Sequence, residues 1–209
     1  MEGMNLKKGF FERKSEPYRV LHDDEKAAAS LSEELLTMLP TALRPVVIVC
    51  IGTDRSTGDS LGPLVGTFLD EKITDGFHIY GTLDEPIHAV NLEERLAEIR
   101  EKHHNPFIIG IDACLGRLKS VGAIQLGNGP VKPGAGVNKE LPDVGDIHIT
   151  GIVNVSGFME FFVLQNTRLN LVLKMARIIS EGIHLASITR PRKESFFKIN
   201  VNEEKQQLL

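Results

Sequence analysis

Apolar residues at Ala28, Leu31, Leu35, Leu36 and Leu39 recur every three or four positions across residues 24–39, the spacing of one helix face, and Pro40 and Pro45 close the segment. The next pattern differs in kind. Val46-Val47-Ile48-Val49-Cys50-Ile51 is a continuous apolar run rich in β-branched residues and ended by Gly52, which predicts a strand covered on both faces. Residues 61–72 return to helical spacing with Leu61, Leu64, Val65, Phe68 and Leu69, and Pro63 stands near the start, where a missing N–H costs nothing. Residues 77–80 then predict a strand, 91–102 a helix, and 107–111 a second apolar strand ending at Asp112. Short strands at 123–126 and 146–153 bracket a Gly- and Pro-rich loop, and helices at 157–164 and 167–186 complete the pattern. Alternation of this kind predicts an α/β fold, a three-layer α/β/α sandwich with a mostly parallel twisted sheet, whose ligands bind beyond the carboxyl ends of the strands.

Residues 1–22 mix charge, Gly and Pro without a period and read as a flexible arm. Residues 23–190 read as a single domain and 191–209 as a charged tail, in keeping with a chain of 209 residues that is 42% hydrophobic and 25% charged. The formal charge of −4 gives no global attraction to nucleic acid or to an anionic membrane, so neither is expected as a partner. Cys50 and Cys114 cannot build a disulfide framework or a zinc cluster, which fits a reducing compartment. No apolar run approaches the roughly 20 residues of a spanning helix, and the first residues lack a signal-peptide core, so a cytoplasmic protein is expected.

The carboxyl ends of the strands carry the candidate chemistry. The first apolar strand runs into Gly52-Thr53-Asp54-Arg55-Ser56-Thr57-Gly58-Asp59-Ser60-Leu61-Gly62-Pro63, and the third delivers Asp112. Asp59 stands just before a helix, where it could serve as an N-cap or face the crevice. Asp112 leaves an apolar strand directly at the crevice. Two carboxylates there can share one proton, so that one acts as base and the other as acid, or they can be two ligands of a divalent metal. The loop Gly81-Thr82-Leu83-Asp84-Glu85-Pro86-Ile87-His88 adds Glu85 and His88 to the same edge. His148 alternates with Ile147 and Ile149 and reads as outward-facing or as a satisfied buried imidazole. The glycine-rich loop matches neither nucleotide-binding pattern, and Ser60 lacks the elbow of a serine hydrolase. Cys50 and Cys114 read as small core residues rather than nucleophiles.

The stretch from Cys50 to Pro63, with Gly81-Thr-Leu-Asp-Glu-Pro86, resembles the YyaC family of sporulation proteins over nearly the whole chain. That family resembles the germination protease of spores and, more distantly, the hydrogenase maturation endopeptidases, which implies an α/β/α fold of the phosphorylase/hydrolase-like type. The likeness continues through Pro133-Gly-Ala-Gly-Val137 and Asn138-Lys-Glu-Leu141, which in the protease form the loop after the fourth strand. The resemblance maps the two essential aspartates of the protease onto Asp59 and Asp112. In the endopeptidases, the positions of Asp59 and Asp112 and a histidine bind nickel, but here 154–156 is Asn-Val-Ser. Thr53 likewise stands where those enzymes usually carry asparagine. The implied activity is peptide hydrolysis by the Asp59–Asp112 pair, with Gly52, Thr53, Asp54, Glu85 and His88 binding substrate and Gly52 and Thr53 offering backbone donors or a hydroxyl. No cofactor is expected; the alternative is a divalent metal on Asp59, Asp112 and His88. The resemblance implies a protein or peptide substrate, with small acid-soluble spore proteins as candidates, and a forespore or sporulating cell as the setting. Residues before Asp23 are a candidate propeptide. A non-catalytic peptide- or protein-binding factor on the same fold is the alternative function.

Overall fold

The computed structural model describes residues 16–41, 44–72, 74, 76–134 and 141–190. In chain order the elements are β1 (Tyr18–Leu21), α1 (Ala27–Met38), β2 (Val46–Cys50), α2 (Leu61–Asp70), β3 (Phe77–Tyr80), α3 (Leu92–Lys102), β4 (Phe107–Gly116), β5 (Ala123–Asn128), β6 (Ile147–Val155), α4 (Glu160–Gln165) and α5 (Leu169–Thr189). The strands form a six-stranded sheet in the order β1-β5-β6-β4-β2-β3. β3, β2, β4 and β6 run parallel, whereas β5 is antiparallel to both β6 and β1. This is the mixed α/β architecture that the alternation of strands and helices predicts.

Every residue of β2 is buried, because alternate side chains enter different layers. Val46, Ile48 and Cys50 join the core formed with α1, α2 and α5, while Val47 and Val49 join Leu92, Leu96 and Ile99 of α3 on the opposite face. A strand so placed has no polar side, which is why it reads as an uninterrupted apolar run. Full burial of each such side chain contributes roughly 1.5–3 kcal/mol, so β2 is the anchor about which the sheet is ordered.

Several boundaries differ from the sequence-based expectation. Residues 18–21, assigned there to the arm, form β1, an edge strand whose Val20 enters the core and whose backbone pairs with β5. Pairing satisfies backbone groups along β5 that an open edge would leave bare. The candidate propeptide before Asp23 therefore includes a strand of the sheet with a core residue, Val20, rather than a removable arm throughout; its residues 1–15 and the tail 191–209 lie outside the described residues. β4 also does not end at Asp112 but continues alongside β6 to Gly116. Helix α4 starts three residues later than the pattern suggests, since Met159 at its N-terminus is held in left-handed geometry at φ 59°. Among the described residues, no helix is long and apolar enough to cross a membrane.

The chain leaves β2 toward β3 on one side and returns to β4 on the other. The order of connection therefore reverses between β2 and β4, and in open α/β sheets the crevice beyond the strand ends at such a point is the usual ligand site.

Candidate active site

β2 stops pairing with β4 at Cys50, opposite Ile111. Asp112 is the next residue of β4, and from there the strand continues with β6 alone, so its side chain emerges where the neighbouring strand has ended. The loop after β2 folds back over this position. Ile51 donates to the Ile111 carbonyl (2.7 Å) and Gly52 to the Ile87 carbonyl (2.8 Å), which ties that loop between β4 and the segment after β3. Thr53 N–H then donates to the Asp59 carbonyl (3.1 Å), closing the loop on itself. Gly52 is obligatory in this closure, with φ at +148° and a side chain at that position colliding with the Asp59 carbonyl oxygen.

The result is a cavity of about 550 Å³, which Asp59 and Asp112 line together with Thr53, Ser56 and His88. Burial raises the Asp59 carboxyl above the usual carboxylate range, and the Ser56 hydroxyl acts in the opposite direction. The Asp112 carboxyl is pushed well above that range, first by burial and further by the negative charge of Asp59, against a hydrogen bond from Ala113 N–H (2.8 Å). The two groups are thus electrostatically coupled, and the pair favours one proton over none. Asp59 does not cap α2. The N-terminal flanking residue is Ser60, whose hydroxyl donates instead to the Thr57 carbonyl (2.7 Å).

The substrate-binding set expected from sequence divides. Gly52, Thr53 and His88 line the cavity, whereas Asp54 and Glu85 do not. Asp54 is exposed, and Glu85 turns to pair with Arg95 at 3.1 Å. The backbone donors expected of Gly52 and Thr53 are also spent, since both amides bond within the protein. Thr53 Oγ1 accepts from Arg55 N–H (3.3 Å). His88 is held by its own loop: its N–H donates to Asn91 Oδ1 (2.8 Å) and its Nδ1 accepts from Val90 N–H (3.3 Å). Among the described residues no three His, Cys, Asp or Glu side chains converge as metal ligands, so Asp59, Asp112 and His88 are not assembled as a ligand trio.

Other candidates find structural roles. Asn154, near the place of the absent histidine, donates to the Val163 carbonyl and Thr167 Oγ1 (both 3.2 Å), fastening the end of β6 to α4. His148 Nδ1 donates to the Gly129 carbonyl (2.9 Å), a satisfied imidazole. Cys50 is buried, and burial raises its thiol. The Cys114 thiol is pushed up to about 11, chiefly by burial, which makes it a poor nucleophile near neutrality.

Sequence reasoning missed the far wall of the cavity. Phe161, Leu164 and Gln165 of α4 complete it, and Gly58 N–H donates to the Leu164 carbonyl (2.9 Å), joining that wall to the Asp59 loop. Phe161 is 50% exposed and Val90, also at the cavity, is 88% exposed. Pro133, Gly134 and Leu141 line the cavity as well, while 135–140 of that loop lie outside the described residues. The periodicity of α4 gave a helix but no hint that its aromatic side faces a cavity.

Sequence comparison agrees with the likeness to the YyaC family. The chain is 55% identical over 196 residues to the Bacillus subtilis (strain 168) protein described as "Uncharacterized protein YyaC", covering 91% of this chain and 94% of that protein. Superposition on the [NiFe] hydrogenase maturation protease HycI from Thermococcus kodakarensis KOD1 gives a TM-score of 0.47 at 15% identity, over 69% of this chain and 94% of that one. Residues 19–182 match the family model described as "Protein of unknown function (DUF1256)", and the chain belongs to that family.

Proposed function

We propose that the chain is an endopeptidase of sporulating cells in which Asp59 and Asp112 activate water against a peptide carbonyl. The observation that carries this reading is that two aspartates, both raised by burial, line one cavity at the switch point of the sheet. Asp112, raised further, holds the shared proton, and Asp59 is the ionised base. Asp59 takes a proton from water as the water oxygen bonds to the carbonyl carbon, and the carbonyl oxygen takes the proton of Asp112. The resulting diol collapses as the C–N bond breaks. The leaving nitrogen receives the proton from Asp59, and Asp112 recovers its own from a diol hydroxyl, so acid, amine and the starting pair are restored.

An apolar rim suits a protein or peptide substrate, since Val90 and Phe161 expose hydrocarbon beside a polar floor. Small acid-soluble spore proteins are the first substrates to try, in keeping with a forespore setting. The second reading, a binding factor without catalysis, draws on the exposed Phe158, Met159, Phe161 and Phe162.

The test is incubation of those proteins with wild type, Asp59→Asn and Asp112→Asn, with and without chelator, followed by intact mass. Cleavage that both substitutions reduce by about 10²–10⁴-fold, and that chelator leaves alone, supports the dyad. Cleavage that survives both changes overturns it. Chelator-sensitive cleavage transfers the chemistry to a metal, and retention without cleavage supports the binding factor.

A further inference from the structure

The turn that carries Asp59 contains a polar atom for which the reaction above has no use. Ser56 is 5% exposed, borders the cavity, and its Oγ has no hydrogen-bond partner in the structure. Native proteins pair nearly all such groups, so an orphan in a candidate active site calls for a partner that is near. Water is a poor choice, because Oγ has almost no solvent contact. In the same turn Ser60 Oγ donates to the Thr57 carbonyl and Thr53 Oγ1 accepts from Arg55 N–H. Asp59 lies three residues after Ser56, and the Ser56 hydroxyl is the neighbour that offsets the effect of burial on its carboxyl.

We propose that Ser56 is a positioning residue for peptide hydrolysis, its hydroxyl rotating to donate to the Asp59 carboxylate and hold it toward the scissile bond. The inference rests on the peptidase reading and adds a role to the same site. Among the described residues, the charged and titratable neighbours around Asp59 in the cavity are Asp112 from β4, Arg55 from its own loop and His88 from the segment after β3; the α4 wall, with Phe161, Leu164 and Gln165, supplies none. A neutral side-chain donor aimed at the carboxylate fixes its rotamer without adding a positive charge that would strip the proton from Asp112. Arg55, the charged donor at the cavity, is exposed and so is free to turn toward solvent.

Full-length Ser56→Ala and Ser56→Thr are compared with wild type on small acid-soluble spore proteins, with kcat, KM and the thermal midpoint measured separately. In Ser56→Ala, kcat falls by about 10²-fold, the order of loss expected when a reacting group is misplaced by about an ångström, while KM stays within about twofold. Its thermal midpoint stays close to that of wild type, since a single hydroxyl and no packing volume beyond it is removed. Ser56→Thr keeps the hydroxyl and recovers most of kcat. An unchanged kcat in Ser56→Ala, or a loss that Ser56→Thr fails to recover while keeping the wild-type midpoint, overturns the role of Ser56 and leaves the peptidase reading intact. A lowered midpoint with parallel changes in kcat and KM also overturns it, in favour of a purely structural serine. Absence of cleavage by wild type overturns both readings, whereas wild-type cleavage that is lost in Asp59→Asn and Asp112→Asn but kept in Ser56→Ala overturns the role of Ser56 alone.

Discussion

Asp112 stands one residue beyond the last pairing of β2 with β4, and the loop that leaves β2 brings Asp59 to the same cavity, where its charge adds to burial in raising the Asp112 carboxyl. The coupling follows from strand lengths. Because β4 outlasts β2, a carboxylate on the longer strand meets the loop that the shorter one releases.

That coupling predicts how stability depends on pH. An unfolded aspartate titrates near about 3.9, and the folded Asp112 titrates higher. Between those two values the folded chain binds a proton that the unfolded chain has lost, so stability falls as pH rises through this window. The contribution is fully present below the unfolded value and gone above the folded one. Urea midpoints at pH 5 and pH 8 should therefore differ less in Asp112→Asn than in wild type, with the variant gaining most at pH 8. An equal difference in the two proteins would show that Asp112 is not held protonated.

Gly52 is the hinge on which the site depends. Gly52→Ala places a Cβ against the Asp59 carbonyl oxygen at a backbone angle that L residues rarely adopt. A loss of about 1–3 kcal/mol in unfolding free energy is expected, with Asp59 displaced from the cavity. Denaturant unfolding and the cleavage assay check the two effects separately, and a variant of wild-type stability and activity would contradict the loop geometry.

The apolar rim should affect binding rather than chemistry. Val90→Ser and Phe161→Ser remove hydrocarbon that is already exposed, so stability should shift by no more than about 0.5 kcal/mol. KM for protein substrates should rise by about tenfold, equivalent to about 1.4 kcal/mol, with kcat unchanged. A fall in kcat with KM fixed would place these side chains nearer the reacting bond than the cavity outline indicates.

Much of the architecture is legible in the chain because burial leaves a pattern. β2 is covered on both faces and is apolar throughout, and α2 and α3 show the stripe of helices packed on a sheet. β1 left no such trace, since it has only four residues with Arg19 among them and gains its place by pairing with β5. Asp59 and Asp112 are visible as candidates from their places after apolar strands. Their neighbours are harder to read, because nearness to a strand end does not say where a side chain points. Glu85 follows β3 as expected, yet Arg95 draws it away from the cavity. Ser56 and Phe161 stand far apart in sequence and meet at one cavity through packing and the Gly58 to Leu164 hydrogen bond, which no local pattern encodes.

The most direct measurement is the carboxyl ¹³C titration of Asp112 by NMR in wild type and in Asp59→Asn. The account predicts an Asp112 titration midpoint above the ordinary carboxylate range in wild type, and one that moves down when the Asp59 charge is removed, because burial remains and repulsion does not. An Asp112 that titrates in the ordinary carboxylate range, or one whose midpoint ignores Asp59→Asn, would contradict the shared proton on which the proposed chemistry stands.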